Sequence, residues 1–203
     1  FDNNDRPGIL LSSALEKYAN LFGVACGEKN ILFTNNDSAY ETAISLYQKG
    51  INIEAIIDNR EEIDSKLIKE IEKNNIKIYK GYTVVDTSGY KRINKISIMQ
   101  LSKDGQKVIG SKTSISCDCL GISGGWTPAV HLFTQSGGKL KFRDEDQVFI
   151  PDKYPSNQIS IGSCNGDFTL DEILSNITNK LKEFLNIKKT DYENLEVYSS
   201  FNK

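Results

Sequence analysis

Ile31-Leu-Phe-Thr-Asn-Asn-Asp-Ser-Ala39 reads as a strand that runs directly into a helix. The run Ile31–Thr34 is short and apolar. A polar turn follows, and Ser38-x-x-Glu41 has the spacing of a capping box. The helix opened there carries Ala39, Ala43, Ile44, Leu46 and Tyr47 at helical spacing and stops at Gly50. Downstream the pattern repeats. Residues 53–58 form a second strand, and Ile63, Leu67, Ile68 and Ile71 share one face of a second helix that ends at Asn74-Asn75. Ile76 and Ile78 begin a third strand. Strand–helix–strand–helix–strand at these lengths predicts a right-handed parallel α/β unit.

On the N-terminal side, Arg6-Pro-Gly-Ile-Leu-Leu-Ser-Ser reads as an extended entry. Ala14, Leu15, Tyr18, Leu21 and Phe22 then mark a helix closed by Gly23. On the C-terminal side the period changes from helical to alternating. Ile96 and Ile98 alternate with polar residues, Asp104-Gly105 supplies a hairpin turn, and Val108 to Ile115 returns. An antiparallel flap is therefore expected on the parallel sheet. Residues 117–123 read as another buried strand, and residues 136–138 (Ser-Gly-Gly) make a loop. Short strands are expected at Val148–Ile150 and Ile159–Ile161. The last helix has a capping box, Thr169-x-x-Glu172, and an apolar face of Leu170, Ile173, Leu174, Ile177, Leu181, Phe184 and Leu185.

The 203 residues carry 25 Lys and Arg against 27 Asp and Glu, a net charge of −2 spread along the chain. That balance argues against a dedicated nucleic-acid binder, which shows a basic face. No run of about 18 apolar residues is present, so a membrane span is not expected, and no secretory leader is recognisable. Cys26, Cys117, Cys119 and Cys164 form no C-x-x-C pair, and His131 is the only histidine. A structural zinc site needs about four N or S ligands, so no metal site is expected. Reduced, buried thiols in a cytoplasmic protein are the expected reading. The alternation of Cys117 and Cys119, which would point both thiols to one side, leaves a redox pair as the alternative.

The first βα turn carries the functional signal. A dinucleotide fold places G-x-G-x-x-G/A there, because the backbone must turn tightly and approach a pyrophosphate. Here the three positions hold Thr34, Asn36 and Ala39. Asn36 tolerates a left-handed turn, but its side chain would crowd a pyrophosphate and Asp37 would repel one. Either no nucleotide binds at this turn or an altered one does. Asp58, at the end of the second strand, stands where an acid meets an adenosine ribose; a solvated acid opening the turn with Asn59 and Arg60 is the alternative. Gly162-Ser-Cys-Asn-Gly166 leads into the last helix, whose first amides suit a phosphate; an ordinary tight turn is the alternative. Ser123-Gly-Gly-Trp-Thr-Pro128 permits close approach of a ligand or another backbone, with Trp126 a packing residue or a cofactor contact. His131 has no nucleophile near it. No catalytic constellation is legible, so no catalytic residue is assigned.

Several of these segments together resemble the alpha subunit of heterotetrameric sarcosine oxidase. They are Arg6-Pro-Gly, residues 31–40, Ile57-Asp-Asn-Arg60, Cys117-Asp118, Ser123-Gly-Gly-Trp-Thr-Pro-Ala-Val-His-Leu-Phe133 and Gln135-Ser-Gly-Gly-Lys-Leu140. They run in order over roughly residues 6–181. The resemblance implies a two-dinucleotide-domain architecture. Residues 1–24 would be an entry segment and helix, and 25–116 an inserted Rossmann-like domain of the NADH type. Residues 117–185 would form the C-terminal half of an FAD/NAD-type domain, and 186–203 a tail or linker. It implies NAD in the whole subunit, with FAD and FMN in the full complex. It also implies oxidation of sarcosine with oxygen and tetrahydrofolate to glycine, hydrogen peroxide and methylenetetrahydrofolate. Gly162–Gly166 falls where related flavoproteins carry a Gly-Asp motif facing the cofactor, with Ser163 at the place of the acid. On this reading Gly124, Gly125, Trp126, Pro128, Gly162, Ser163, Asn165, Gly166 and Asp58 are the candidate cofactor contacts. Other subunits of the heterotetramer are the expected partners, and an incomplete half-domain offers apolar surface for self-association. The corresponding subunit of another amine or opine-type oxidoreductase, or a non-catalytic interaction module, are the competing readings.

Overall fold

The computed structural model describes residues 1–63 and 65–185, which fall into two compact units, Phe1–Gly125 and a second beginning at Trp126. The tail expected over 186–203 lies outside the described residues.

The first unit is built on five parallel strands in the order β1-β8-β2-β3-β4. These are β1 (Ile9–Leu11), β2 (Asn30–Thr34), β3 (Ile53–Asp58), β4 (Lys77–Lys80) and β8 (Cys119–Ser123). The helices α1 (Ser12–Phe22), α2 (Ser38–Gln48) and α3 (Ser65–Lys73) connect them. Side chains alternate between the two faces of a strand, so the sheet feeds two cores. Leu32, Ile56 and Cys119 pack with Leu15, Tyr40, Ala43, Leu46 and Ile71 of the helices. Ile31, Ala55, Ile57 and Leu120 pack on the other face with Val84, Ile93, Ile96 and Ile98. Those last four come from a separate antiparallel sheet of β5 (Tyr82–Gly89), β6 (Ile93–Leu101) and β7 (Val108–Ser116). The flap is thus three-stranded and covers one face of the parallel sheet.

The unit takes in more chain than residues 25–116. Ile9 pairs with Leu120, and Asn30 to Thr34 pair in register with Cys119 to Ser123. The entry segment and the returning strand are therefore ladder members of the same sheet. Asp118 anchors the return: its carboxylate accepts the Lys29 amide at 2.8 Å and the Glu28 amide at 3.0 Å. Burial alone would raise Asp118, but these two amides and Arg92 outweigh it and hold the carboxyl below its ordinary value. A lowered folded-state value contributes stability above the unfolded carboxylate pKa of about 3.9, and that contribution is lost as pH falls through the lower folded value. Asp118→Asn should therefore melt lower at neutral pH and show a shallower loss of stability below about pH 4. Thermal melts from pH 2 to 7 check this; parallel profiles would refute it.

Two local expectations change. The Ser38–Glu41 capping box does not form, because Asp37 is the N-cap of α2 and makes no side-chain cap bond. Ser38 is the first helical residue, and its hydroxyl turns back to Asn36. Cys117 and Cys119 do not point to one side. The strand begins only at Cys119, and the thiols enter opposite cores, Cys119 with the helices and Cys117 with the antiparallel sheet. Burial foremost pushes each up to about 12, so both are inert at neutral pH.

The second unit holds α4 (His131–Gln135), a hairpin of β9 (Lys139–Arg143) and β10 (Val148–Lys153), a 3₁₀ turn at Gly162–Asn165, and α5 (Leu170–Phe184). The capping box of α5 is present as expected, Thr169 and Glu172 each bonding the other's amide. Residues 159–161 are not a strand. Their carbonyls are met by side chains instead of a ladder: Lys180 Nζ donates to Ser160 O at 3.2 Å and Cys164 Sγ to Ile161 O at 2.9 Å. The buried apolar side chains among its described residues are Pro128, Phe133, Val148 and Pro151, and α5 buries none. Leu132, Phe149, Leu170 and Leu185 are all more than half exposed. Among the described residues no helix is long and apolar enough to cross a membrane.

Candidate functional site

In parallel α/β sheets, ligands bind outside the carboxyl ends of the strands. In the first unit that edge is built from Thr34, Asp58 and Ser123, which lie side by side in register. The βα turn after Thr34 is tied together by side chains. Thr34 Oγ1 accepts the Asn36 amide at 3.0 Å and donates to Asn36 O at 2.9 Å. Asn36 Nδ2 reaches across to Ser123 O and Oγ at 3.1 and 3.2 Å. Asn36 Oδ1 accepts from the Ser38 hydroxyl at 2.6 Å and from the Ser38 amide at 3.2 Å. Asn35 Nδ2 donates to Gly124 O at 3.3 Å.

Beside this network sits a charged cluster. Asp58 is fully buried, and both of its oxygens are engaged. Oδ1 accepts the Arg60 amide at 2.8 Å and Arg60 Nε at 3.2 Å; Oδ2 accepts Arg60 Nη2 at 2.9 Å and the Tyr40 hydroxyl at 3.0 Å. Arg60 Nη2 also lies 2.7 Å from Asp37 Oδ1. Burial would lower Arg60, but the bonds from Asp58 and Asp37 outweigh it and keep the guanidinium charged. Burial, then Asp58, raises Tyr40, so its hydroxyl remains a donor.

The candidate residues divide accordingly. Gly124 and Gly125 are exposed at the same edge as Asn35 and Asn36, with Gly125 at φ +102°. Asp58 is turned inward and saturated by Arg60 and Tyr40. Trp126, 58% exposed, and the buried Pro128 open the second unit. There Gly162 and Gly166 have φ of +71° and +83°, and Ser163 is exposed. Asn165 accepts the Tyr154 hydroxyl at 3.1 Å and points its amide at Asp167, which Asn176 also contacts. Arg143 donates to Gly166 O at 2.8 Å. Tyr40 and Arg60 in the first unit, and Arg143, Asp167 and (through Asp167) Asn176 in the second, contact the candidate positions without having been legible in the sequence. The available signal was Arg60, two residues after an acid at a strand end. Among the described residues no group of three or more His, Cys, Asp or Glu is placed to hold a metal ion.

This parallel sheet, with its helices and its edge turn, is a Rossmann-like α/β architecture. Thioredoxin reductase from T. acidophilum matches with a TM-score of 0.51 at 21% identity, covering 86% of this chain and 58% of that one. L-proline dehydrogenase from P. horikoshii matches with a TM-score of 0.54 at 20% identity, over 90% of this chain and 35% of that one. The flavoprotein disulfide reductase RclA from Escherichia coli reaches 0.63 at 14% identity, over 91% and 40%. No family model matches the chain. In sequence it is 32% identical to sarcosine oxidase subunit alpha of Corynebacterium sp. strain P-1 over 177 residues, 86% of this chain and 18% of that protein. The corresponding subunit of Rhizobium meliloti strain 1021 is 30% identical over 151 residues, 74% of this chain and 14% of that protein. Over the span it covers, the chain belongs to the sarcosine oxidase alpha subunit family. It spans less than a fifth of the length of these curated relatives.

Proposed function

We propose that the chain is a segment of the alpha subunit of a sarcosine-oxidising enzyme. The whole enzyme would convert sarcosine, oxygen and tetrahydrofolate to glycine, hydrogen peroxide and methylenetetrahydrofolate. The 32% identity over 177 residues carries the reading. In this assignment residues 25–116 are the inserted Rossmann-like domain, and residues 117–185 are the C-terminal half of a dinucleotide-binding domain. The subunit holds NAD, while FAD and FMN belong to the complex. This segment acts by seating the dinucleotide and contacting flavin-bearing subunits. The four free cysteines suit a reducing cytoplasm.

The fit to a dinucleotide differs between the two units. The turn Thr34–Ala39 fits poorly, because the Asn35, Asn36 and Ser38 amides and the Asn36 side chain are bonded within the chain and Asp37 adds a negative charge. The turn Gly162–Gly166 fits better. It has two glycines at positive φ and an exposed Ser163, and a Cβ at Gly162 would meet only Ile173, at 3.6 Å. Glycine is needed there for backbone conformation, and Ser163 and Asn165 are the polar groups beside it. The exposed Leu132, Phe149 and Leu170 suit a unit that packs on further polypeptide of the complex.

The test uses the whole subunit purified with its partners. Gly162→Ala, strained at this φ, should lower NAD content per complex severalfold while assembly persists. Unchanged NAD content would remove Gly162–Gly166 from the cofactor site.

A further inference from the structure

The Rossmann-like fold of the first unit implies a phosphate-binding turn, yet the residues of that turn do not fit a phosphate. In such a turn, backbone amides at the start of the helix point at the anion, and a nearby cation or neutral surface accepts it. Here the amide of Asn36 is taken by Thr34 Oγ1, that of Ser38 by Asn36 Oδ1, and that of Tyr40 by Asp37 O at 2.9 Å. Asn36 spends its whole side chain inside the chain: its amide goes to Ser123, and its oxygen to Ser38. Arg60 is matched by two carboxylates, Asp58 and Asp37, which leaves the cluster one negative charge in excess. Asp37 is the N-cap of α2, so its carboxylate stands at the positive end of the helix, where an anionic ligand would be drawn.

We infer that the first unit seals its own phosphate turn, with the Asn36 side chain taking a ligand's place at the Ser38 amide and the Asp37 carboxylate repelling an anion. The turn then serves as an internal clamp from the end of β2 to Ser123 of β8, and phosphate-bearing ligands are excluded. This rests on the first unit's geometry alone and does not depend on the assignment of Gly162–Gly166.

The experiment is a calorimetric NAD titration of the full chain in four forms: wild type, Asp37→Asn, Asn36→Gly/Asp37→Asn and Gly162→Ala. Asp37→Asn keeps the shape of the side chain and removes its charge. Circular dichroism establishes that each form is folded. The double variant, which frees the Ser38 amide and relieves the charge excess, should bind NAD at least tenfold more tightly than wild type or, where wild type already binds through the second unit, take up an additional NAD per chain. Wild-type binding that is lost in Gly162→Ala and unaffected by Asp37→Asn would place the ligand on the second unit and leave the first sealed, in agreement with the inference. Wild-type binding that survives Gly162→Ala and weakens in the double variant would overturn it. So would a folded double variant with neither a gain in affinity nor an additional NAD bound, because the seal would then not be what excludes the ligand.

Discussion

Arg60→Ala is expected to destabilise the folded chain by about 3 kcal/mol, read as a lower midpoint in urea unfolding with an unchanged slope. Asp58 has no solvent contact and depends on Arg60 for one backbone and two side-chain bonds. Removing the guanidinium leaves a buried carboxylate facing only the Tyr40 hydroxyl and one amide. Breaking a buried pair from one side costs about 3–5 kcal/mol, and the low end applies because Arg60 itself is 32% exposed. The companion variant Asp58→Asn/Arg60→Ala removes the stranded charge. Its cost should be smaller than the sum of the two single losses, a coupling that a double-mutant cycle measures. A loss below about 1 kcal/mol for Arg60→Ala would mean the cluster is solvated rather than buried.

Gly138→Ala should destabilise the second unit by about 1–3 kcal/mol or more. A Cβ at Gly138 would stand 2.4 Å from Phe133 Cζ and within 2.6 Å of both Cε atoms. The ring cannot yield easily: it is nearly buried and packs edge-on against Tyr154 at 5.0 Å between centroids. Because Phe133 is one of the few buried apolar side chains among the described residues of this unit, displacing it should loosen the unit as a whole. Fluorescence of Trp126, the single tryptophan, and limited proteolysis report it. Gly124→Ala, whose Cβ would meet nothing within 4 Å, should leave the same readouts unchanged. Equal behaviour of the two variants would refute the packing role. The segment Gln135-Ser-Gly-Gly-Lys-Leu140, part of the family resemblance, thus includes a glycine fixed by an aromatic ring.

Local order was legible wherever apolar period and end signals agree. The β2–α2–β3–α3–β4 series, the Asp104-Gly105 turn and the Thr169–Glu172 box all follow from residues within a few positions of each other. The strands that escaped reading are β5 and β9. The first, Tyr82-Thr-Val-Val-Asp-Thr-Ser-Gly89, mixes polar and apolar residues because it is a half-buried edge strand of its sheet. The second, Lys139-Leu-Lys-Phe-Arg143, is largely exposed and belongs to a two-stranded sheet. At residues 159–161 two isoleucines flank Ser160 as in a strand, but side chains meet the carbonyls of Ser160 and Ile161 in place of a partner strand.

By itself, the sequence determined that this chain is a parallel α/β unit with an antiparallel cover and a capped final helix. It also determined that the first βα turn lacks its glycines and that the chain is akin to the sarcosine oxidase alpha subunit. Those properties rest on local periodicity, on capping chemistry and on residue identities in order. Only the tertiary structure decided that Asp58 faces inward and that Arg60 is shared between two acids. It alone split Cys117 and Cys119 between opposite cores and brought Asn36 onto Ser123, 87 residues away. Each depends on where distant strands stand in register and on which face of the sheet a side chain enters, and neither is fixed by neighbours along the chain.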